Sequence, residues 1–227
     1  MSIILGVETA TKVCSVAITS NNKVLAFKEE GEEFSHAEKL NSFVQETLKE
    51  AGVSLKDIDA FAVSKGPGSY TGLRIGVSTV KGFCYALNKP LISVDTLQSL
   101  CLHPKVKENN GLFCPMIDAR RMEVYTAIYN QNLEIKEAIS AKIIDEHSFE
   151  EYLKKDKMYF FGDGAMKCES LFSENENAVF IDDVKTSAVF INELAQLKLD
   201  KNELEDVAYF EPYYLKNFIA TTPKKLL

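Results

Sequence analysis

Residues 4–18 read ILGVETATKVCSVAI, and residues 114–128 read CPMIDARRMEVYTAI. A shift of 110 residues lays one stretch on the other without a gap: Val7 and Glu8 meet Ile117 and Asp118, Ala17 and Ile18 meet Ala127 and Ile128, and the turn at Asn21 and Asn22 meets Gln131 and Asn132. Each stretch is an apolar run, a polar turn and a second apolar run, the pattern of an antiparallel hairpin. Few residues are identical, so what repeats is topology more than sequence.

Outward from the first hairpin, the apolar pattern predicts strands over 3–7, 14–19 and 23–27, a helix over 36–51, a strand over 60–64, a helix over 72–87 and a strand over 91–94. The second half predicts the same order: strands over 112–117, 123–129 and 133–135, a helix over 148–154, strands over 158–161 and 179–181, and a helix over 188–197. Two such halves make a duplicated α/β fold with a cleft between them. The polar stretch 105–111 divides the chain into an N-terminal unit, 1–104, and a C-terminal unit, 105–227.

After the 60–64 run comes GPGSYTGLRIG, residues 66–76, with four glycines in eleven positions. It is not a Walker loop, because Gly72 is followed by Leu73 and Arg74 instead of lysine and a hydroxyl. Glycines between a strand and a helix can bring backbone N–H groups to an anion. They also serve turn geometry and close helix packing. At 100° per residue Leu73, Val77, Val80, Cys84 and Leu87 form the core stripe of the following helix. Gly72, Ile75, Gly76, Thr79, Gly82, Phe83 and Ala86 form a second arc, small or apolar, suited to the helix at 36–51 or to a helix of another subunit.

Composition narrows the function classes. With 227 residues, 46% of them hydrophobic, the chain can bury a core without staples. Five scattered cysteines without a C-x-x-C pair predict core thiols of a reduced, cytosolic protein. No basic leader opens the chain and no apolar run nears the roughly 20 residues of a membrane span. A formal charge of −7 repels a phosphate backbone, so contact with nucleic acid is expected only indirectly, through a partner.

Several positions can carry chemistry. Glu8 and Thr9 end a strand before a turn, where an acid could orient water or a metal ion, or merely satisfy the turn backbone. Lys12 and Val13 follow where a second acid would be needed for a divalent ion. In SHAE, Ser35 and Glu38 have capping-box spacing, which puts His36 in the first helical turn. Asp118, Arg120, Arg121 and Glu123 crowd the second hairpin turn, facing the cleft or forming a salt-bridged hairpin. Gly162 and Gly164 in FFGDGAMK sit between a strand and a helix, where a nucleotide can approach backbone. His103 and His147 are isolated, so no Ser-His-Asp order or H-x-x-x-H pair can be traced. The terminal FEPYYLKNFIATTPKKLL, aromatic and lysine-bearing, is a docking tail or a segment tied down on the surface.

Taken together, GVETATKVCSVAI, SHAEKL, SKGPGSYTGLRIGVSTVKGF, PLISVDTLQSL, IDARRMEVY and the later PYYLK closely resemble the TsaB (YeaZ) family. The resemblance implies an actin-like ATPase (ASKHA, ribonuclease H-like) fold with two duplicated subdomains, each a mixed five-stranded sheet flanked by helices. It implies a role in forming N6-threonylcarbamoyladenosine next to the anticodon of tRNAs that read codons beginning with A. In that system TsaD transfers the threonylcarbamoyl group, TsaE supplies an ATPase, and TsaB-like chains are non-catalytic dimerization partners of TsaD. TsaD-like chains carry an acidic pair where Lys12 and Val13 stand here, and an H-x-x-x-H metal pair where Thr96 and Leu100 stand.

The resemblance therefore implies no catalytic residue, no metal and no cofactor. Glu8, where most family members carry Asp, with Thr9, Thr11, Asp118, Gly162 and Gly164, would mark a degenerate nucleotide cleft. Leu40 and Val44, with the arc Gly72, Ile75, Gly76, Thr79, Gly82, Phe83 and Ala86, would form the TsaD-binding face. Without TsaD, a homodimer through the same helices is the expectation. The competing expectations are an ATP-binding phosphotransferase or ATPase using Glu8 and Asp118 around magnesium ATP, and a metallopeptidase inherited from historical naming.

Overall fold

The computed structural model describes residues 2–31 and 36–216. The first hairpin forms β1 (Ile3–Glu8) and β2 (Val13–Ser20), extended by β3 (Lys23–Gly31). Helix α1 (His36–Ala51) leads to β4 (Ala60–Gly66), and α2 (Tyr70–Leu87) leads to β5 (Leu91–Asp95). The sheet order is β3-β2-β1-β4-β5, antiparallel through the first three strands and parallel from β1 to β5. Two short helices, α3 (Thr96–Leu100) and α4 (Pro104–Lys107), then carry the chain to the second half.

There β6 (Leu112–Asp118), β7 (Glu123–Tyr129), β8 (Ile135–Ile143), β9 (Met158–Phe161) and β10 (Ala178–Ile181) pair in the order β8-β7-β6-β9-β10, the same order with the same strand senses. The expected actin-like duplication is thus the architecture of the chain. Its helices are unequal: α5 (Glu150–Leu153) has one turn, and a 3-10 segment, Met166–Leu171, stands where the first half has α2. Strand β8 begins at Ile135, where the predicted 133–135 ends, and Leu133 lies in the turn before it at φ 59°; the mixture of charged and apolar residues over 135–143 hides an edge strand.

The last helix, α6 (Ala188–Asp200), comes after the second sheet in sequence yet lies on the first. Its Ile191, Leu194 and Ala195 bury against Ile4, Ala60, Ala62, Ile92 and Val94, each large side chain worth about 1.5–3 kcal/mol of transfer. Asn192 Nδ2 donates to the carbonyls of Ile4 (3.2 Å) and Ala17 (3.1 Å), and Gly6 lies beneath because a Cβ there would overlap the Asn192 amide. In exchange, Leu97, Leu100 and Val106 of the connecting helices cover one face of the second sheet, with Phe113, Ile117 and Phe161. The first sheet is thus roofed by α6, which follows the second sheet in sequence, and the second in part by α3, which precedes it. Among the described residues no helix is long and apolar enough to cross a membrane.

Candidate functional site

Helix α2 begins two residues before the predicted start, capped by Ser69, whose hydroxyl accepts from the Gly72 amide at 3.2 Å. Gly68 ahead of it, and Gly72 and Gly76 in its first turns, face the β1–β2 turn. The Ser69 amide donates to the Ala10 carbonyl at 2.6 Å. A Cβ at Gly68 would overlap that carbonyl, one at Gly72 the Thr9 carbonyl, and one at Gly76 the Thr9 hydroxyl. Thr9 Oγ1 in turn donates to the Gly72 carbonyl at 2.8 Å. Gly68, Gly72 and Gly76 therefore fit the chain's own turn, and the N–H groups of Ser69, Gly72 and Leu73 are donated within the chain, to the Ala10 carbonyl, the Ser69 hydroxyl and the Ser69 carbonyl.

Glu8 closes the same turn from beneath. It is fully buried, and its Oε1 accepts from the Ala10 amide at 2.5 Å and from Ser64 Oγ at 2.9 Å, while Oε2 has no partner. Burial raises its pKa to about 7, against the lowering effect of those hydrogen bonds. Thr11 reaches the cleft, where its hydroxyl shares a 2.8 Å hydrogen bond with that of Thr186, just ahead of α6. His36 stands in the first turn of α1 and donates from Nε2 to the Thr11 carbonyl at 2.8 Å. Its capping partner Ser35 lies outside the described residues.

The equivalent turn of the second half is built differently. Asp118 is exposed and paired with Lys167, and it accepts the Arg120 amide at 3.0 Å. Gly162 and Gly164 press on β6: the Gly164 amide donates to the Met116 carbonyl at 3.0 Å, and a Cβ at either glycine would collide with the backbone of Met116 to Asp118. Asp163 between them, though open to solvent on one side, accepts the Asp118 amide at 3.0 Å, and partial desolvation of its carboxyl raises its pKa. The sequence pattern assigns no role to Asp163 or Thr186, although Asp163 stands in view between the two glycines.

A cleft of about 440 Å³ runs between the halves, lined among others by Thr11, Lys12, Glu29, Glu30, Asp163 and Lys185. Of the six expected cleft positions, only Thr11 reaches its wall. Glu8 and Thr9 are sealed beneath the turn, Gly162 and Gly164 are filled by β6, and Asp118 is held by Lys167. Among the described residues no group of three or more His, Cys, Asp or Glu side chains is arranged to hold a metal ion.

The expected partner face is corrected in part. Leu40 and Val44 are buried in the core beneath α1, with Val16, Phe61 and Val77 in the same cluster. Gly72 and Gly76 face Thr9. What α1 turns outward, including Asn41, Gln45, Glu46 and Lys49, is polar, because its apolar residues fill a single stripe. On α2 the arc stays half-open: Ile75, Thr79 and Phe83 are half-buried, Gly82 and Ala86 are exposed, and a Cβ at Gly82 would meet nothing. Tyr85 beside them is 84% exposed. Of the terminal segment, 217–227 lie outside the described residues.

The family model described as TsaD, tRNA N6-adenosine threonylcarbamoyltransferase, matches residues 32–224. The chain is similar to the tRNA threonylcarbamoyladenosine biosynthesis protein TsaB of Haemophilus influenzae, at 26% identity over 98% of this chain and 96% of that one. It is also similar to TsaB of Escherichia coli, at 37% identity over 57% of this chain, where the match spans 55% of the relative's length. The solved structure of YeaZ from Pseudomonas aeruginosa superposes with a TM-score of 0.79 at 25% identity, covering 95% of this chain and 100% of that one.

Proposed function

We infer the function from one premise: the chain belongs to the tRNA N6-adenosine threonylcarbamoyltransferase (TsaD) family and, within it, to the TsaB (YeaZ) group. On that premise the chain serves tRNA threonylcarbamoyladenosine biosynthesis as a non-catalytic scaffold. It binds a TsaD-type transferase through α2, reaches TsaE through that complex, and meets tRNA only indirectly. The observation that supports this reading is a contrast within the molecule. The turn residues that an active cleft would use are spent on internal packing, while α2 keeps Gly82, Ala86 and Tyr85 open to solvent.

The test is co-purification with the cognate transferase, with light scattering of the eluted peak. The expected result is a one-to-one complex that Ala86→Arg abolishes while leaving the melting temperature of the free chain unchanged. Gly76→Arg is unsuited to this purpose, since its side chain would displace Thr9. A wild-type chain that forms no complex, or Ala86→Arg binding as wild type, overturns the reading. The cleft, with Lys12 and Lys185 on its wall, favours one rival, a nucleotide site. Calorimetry with millimolar ATP and magnesium decides it: no heat of binding removes the rival, and saturable heat moves the function into the cleft.

A further inference from the structure

Beyond α6 the chain turns back along the first half as a strap, residues 205–216, with one turn over 207–209. It begins on the edge strand, where the Glu205 amide donates to the Leu91 carbonyl at 2.9 Å and Ser93 Oγ donates to the Glu205 carboxylate. It then crosses α2. Lys81 Nζ donates to two strap carbonyls, those of Ala208 (3.2 Å) and Phe210 (2.8 Å), while Val207 and Phe210 pack on the core. Next it meets the glycine loop: the Tyr213 amide donates to the Lys65 carbonyl at 2.7 Å, and its own carbonyl would lie 2.9 Å from a Cβ at Gly66.

The last contacts run from α2 to the second half. Tyr214 packs on Tyr70, ring centroids 4.7 Å apart and planes tilted by 39°, and its hydroxyl accepts from Arg74 Nε at 3.2 Å. The Arg74 guanidinium lies over the Tyr70 ring, 4.3 Å from its centroid. Two residues later Lys216 is paired with Glu123, the first residue of β7 in the second sheet. Tyr125 of the same strand lines the small closed space under Tyr213 and Tyr214. A chain that has already crossed between the halves twice is thus tied to the second half again, through contacts made at the first turn of α2.

We propose that this strap is a latch coupling the seating of α2 to the position of the second half. The Lys216–Glu123 pair is its release point, and the Tyr70–Arg74–Tyr214 cluster is the contact that transmits. A movement of β7 relative to the first sheet must either break the ion pair or pull Tyr214 against Arg74, on the helix that offers Gly82, Tyr85 and Ala86 further along. Only the statement that α2 meets a partner rests on the proposed function; the coupling itself does not.

Hydrogen exchange of the full chain tests it without any partner, so the latch and the partner assignment can fail separately. Glu123→Gln and Lys216→Gln are each expected to raise exchange about two- to fivefold, the scale of a surface ion pair. The rise should appear both in the strap, including the Tyr213 amide, and in the first turns of α2, including the Leu73 amide. The double variant should exceed neither single variant, because one interaction is removed in all three. Tyr214→Ala, which removes the ring contact and the acceptor, should raise the α2 signal about tenfold. In every variant α6, pinned by Asn192, should exchange as in wild type. A rise confined to the strap, or an equal rise in α6, overturns the proposal.

Discussion

The two loops after the fourth strand of each half can be laid side by side. After β4 the glycines at 68, 72 and 76 press on Thr9 and Ala10; after β9 the glycines at 162 and 164 press on Met116 to Asp118. In each, one amide of the loop is donated at or just past the end of the half's first strand, Ser69 to Ala10 in the β1–β2 turn and Gly164 to Met116 in β6. The backbone solution is shared, but the next element is not. The first loop opens an 18-residue helix with a half-open arc, the second a six-residue 3-10 segment. Glycine in these loops therefore reports close packing of a strand end, and any binding role must be read from the helix or turn that the loop opens.

The comparison breaks first at the glycines themselves. At Gly72 a methyl group would enter the Thr9 carbonyl, and backbone cannot turn away as a flexible side chain can. Gly72→Ala is expected to cost about 3–5 kcal/mol, the upper range for strain and overpacking. At Gly164 the overlap is shallower, with the nearest backbone atoms 2.8 and 2.9 Å from the added carbon, and Gly164→Ala is expected to cost about 2–3 kcal/mol. Urea denaturation of both variants checks the order. Equal costs would mean that the β1–β2 turn yields as readily as the β6–β7 turn, and that the two loops are interchangeable.

The shared loop geometry explains what the sequence discloses and what it hides. The hairpin at 4–18, its repeat at 114–128 and the order of the strands are legible because an apolar run has a period and a length. The roofing exchange is not: the stripe Ile191, Leu194, Ala195 announces a buried face without saying which of two sheets it meets. The same gap misassigns Leu40, Val44, Gly72 and Gly76, since a helical wheel sorts residues by angle and cannot distinguish a partner's helix from the chain's own strand end. Glu8 looks like a cleft acid by position; its burial depends on Ser64 and Ala10 closing over it, contacts made 56 and 2 residues away.

Glu8 and Asp118 sharpen the comparison, because they occupy the same place in the repeat with opposite surroundings. The buried Glu8 has its pKa raised from 4.5 to about 7 by desolvation. Between those values the folded chain holds a proton that the unfolded chain has released. Stability contributed by this group is therefore full below pH 4.5 and falls as pH rises toward 7, by about 3 kcal/mol in all. Glu8→Gln keeps the shape without the ionisation, so the difference in unfolding free energy between it and wild type should grow in favour of the variant from pH 5 to pH 8. A difference independent of pH would show that Glu8 is charged and compensated in the folded chain.

Asp118 gives the smallest effect, and its smallness is informative. Its carboxylate is exposed and its partner Lys167 also donates to the Glu123 carbonyl at 2.7 Å, so the lysine ties two ends of the β6–β7 turn to the 3-10 segment after β9. An ion pair in solvent is screened, and each side chain gives up conformational freedom to form it, which leaves about 0–1 kcal/mol. Lys167→Met, retaining the stem and removing the charge, is expected to lower stability by under about 1 kcal/mol in low salt, with the loss shrinking as salt is added. A loss of several kcal/mol, indifferent to salt, would mean that the second turn is as tightly built as the first. The contrast between a sealed turn and an open one would then have to be abandoned.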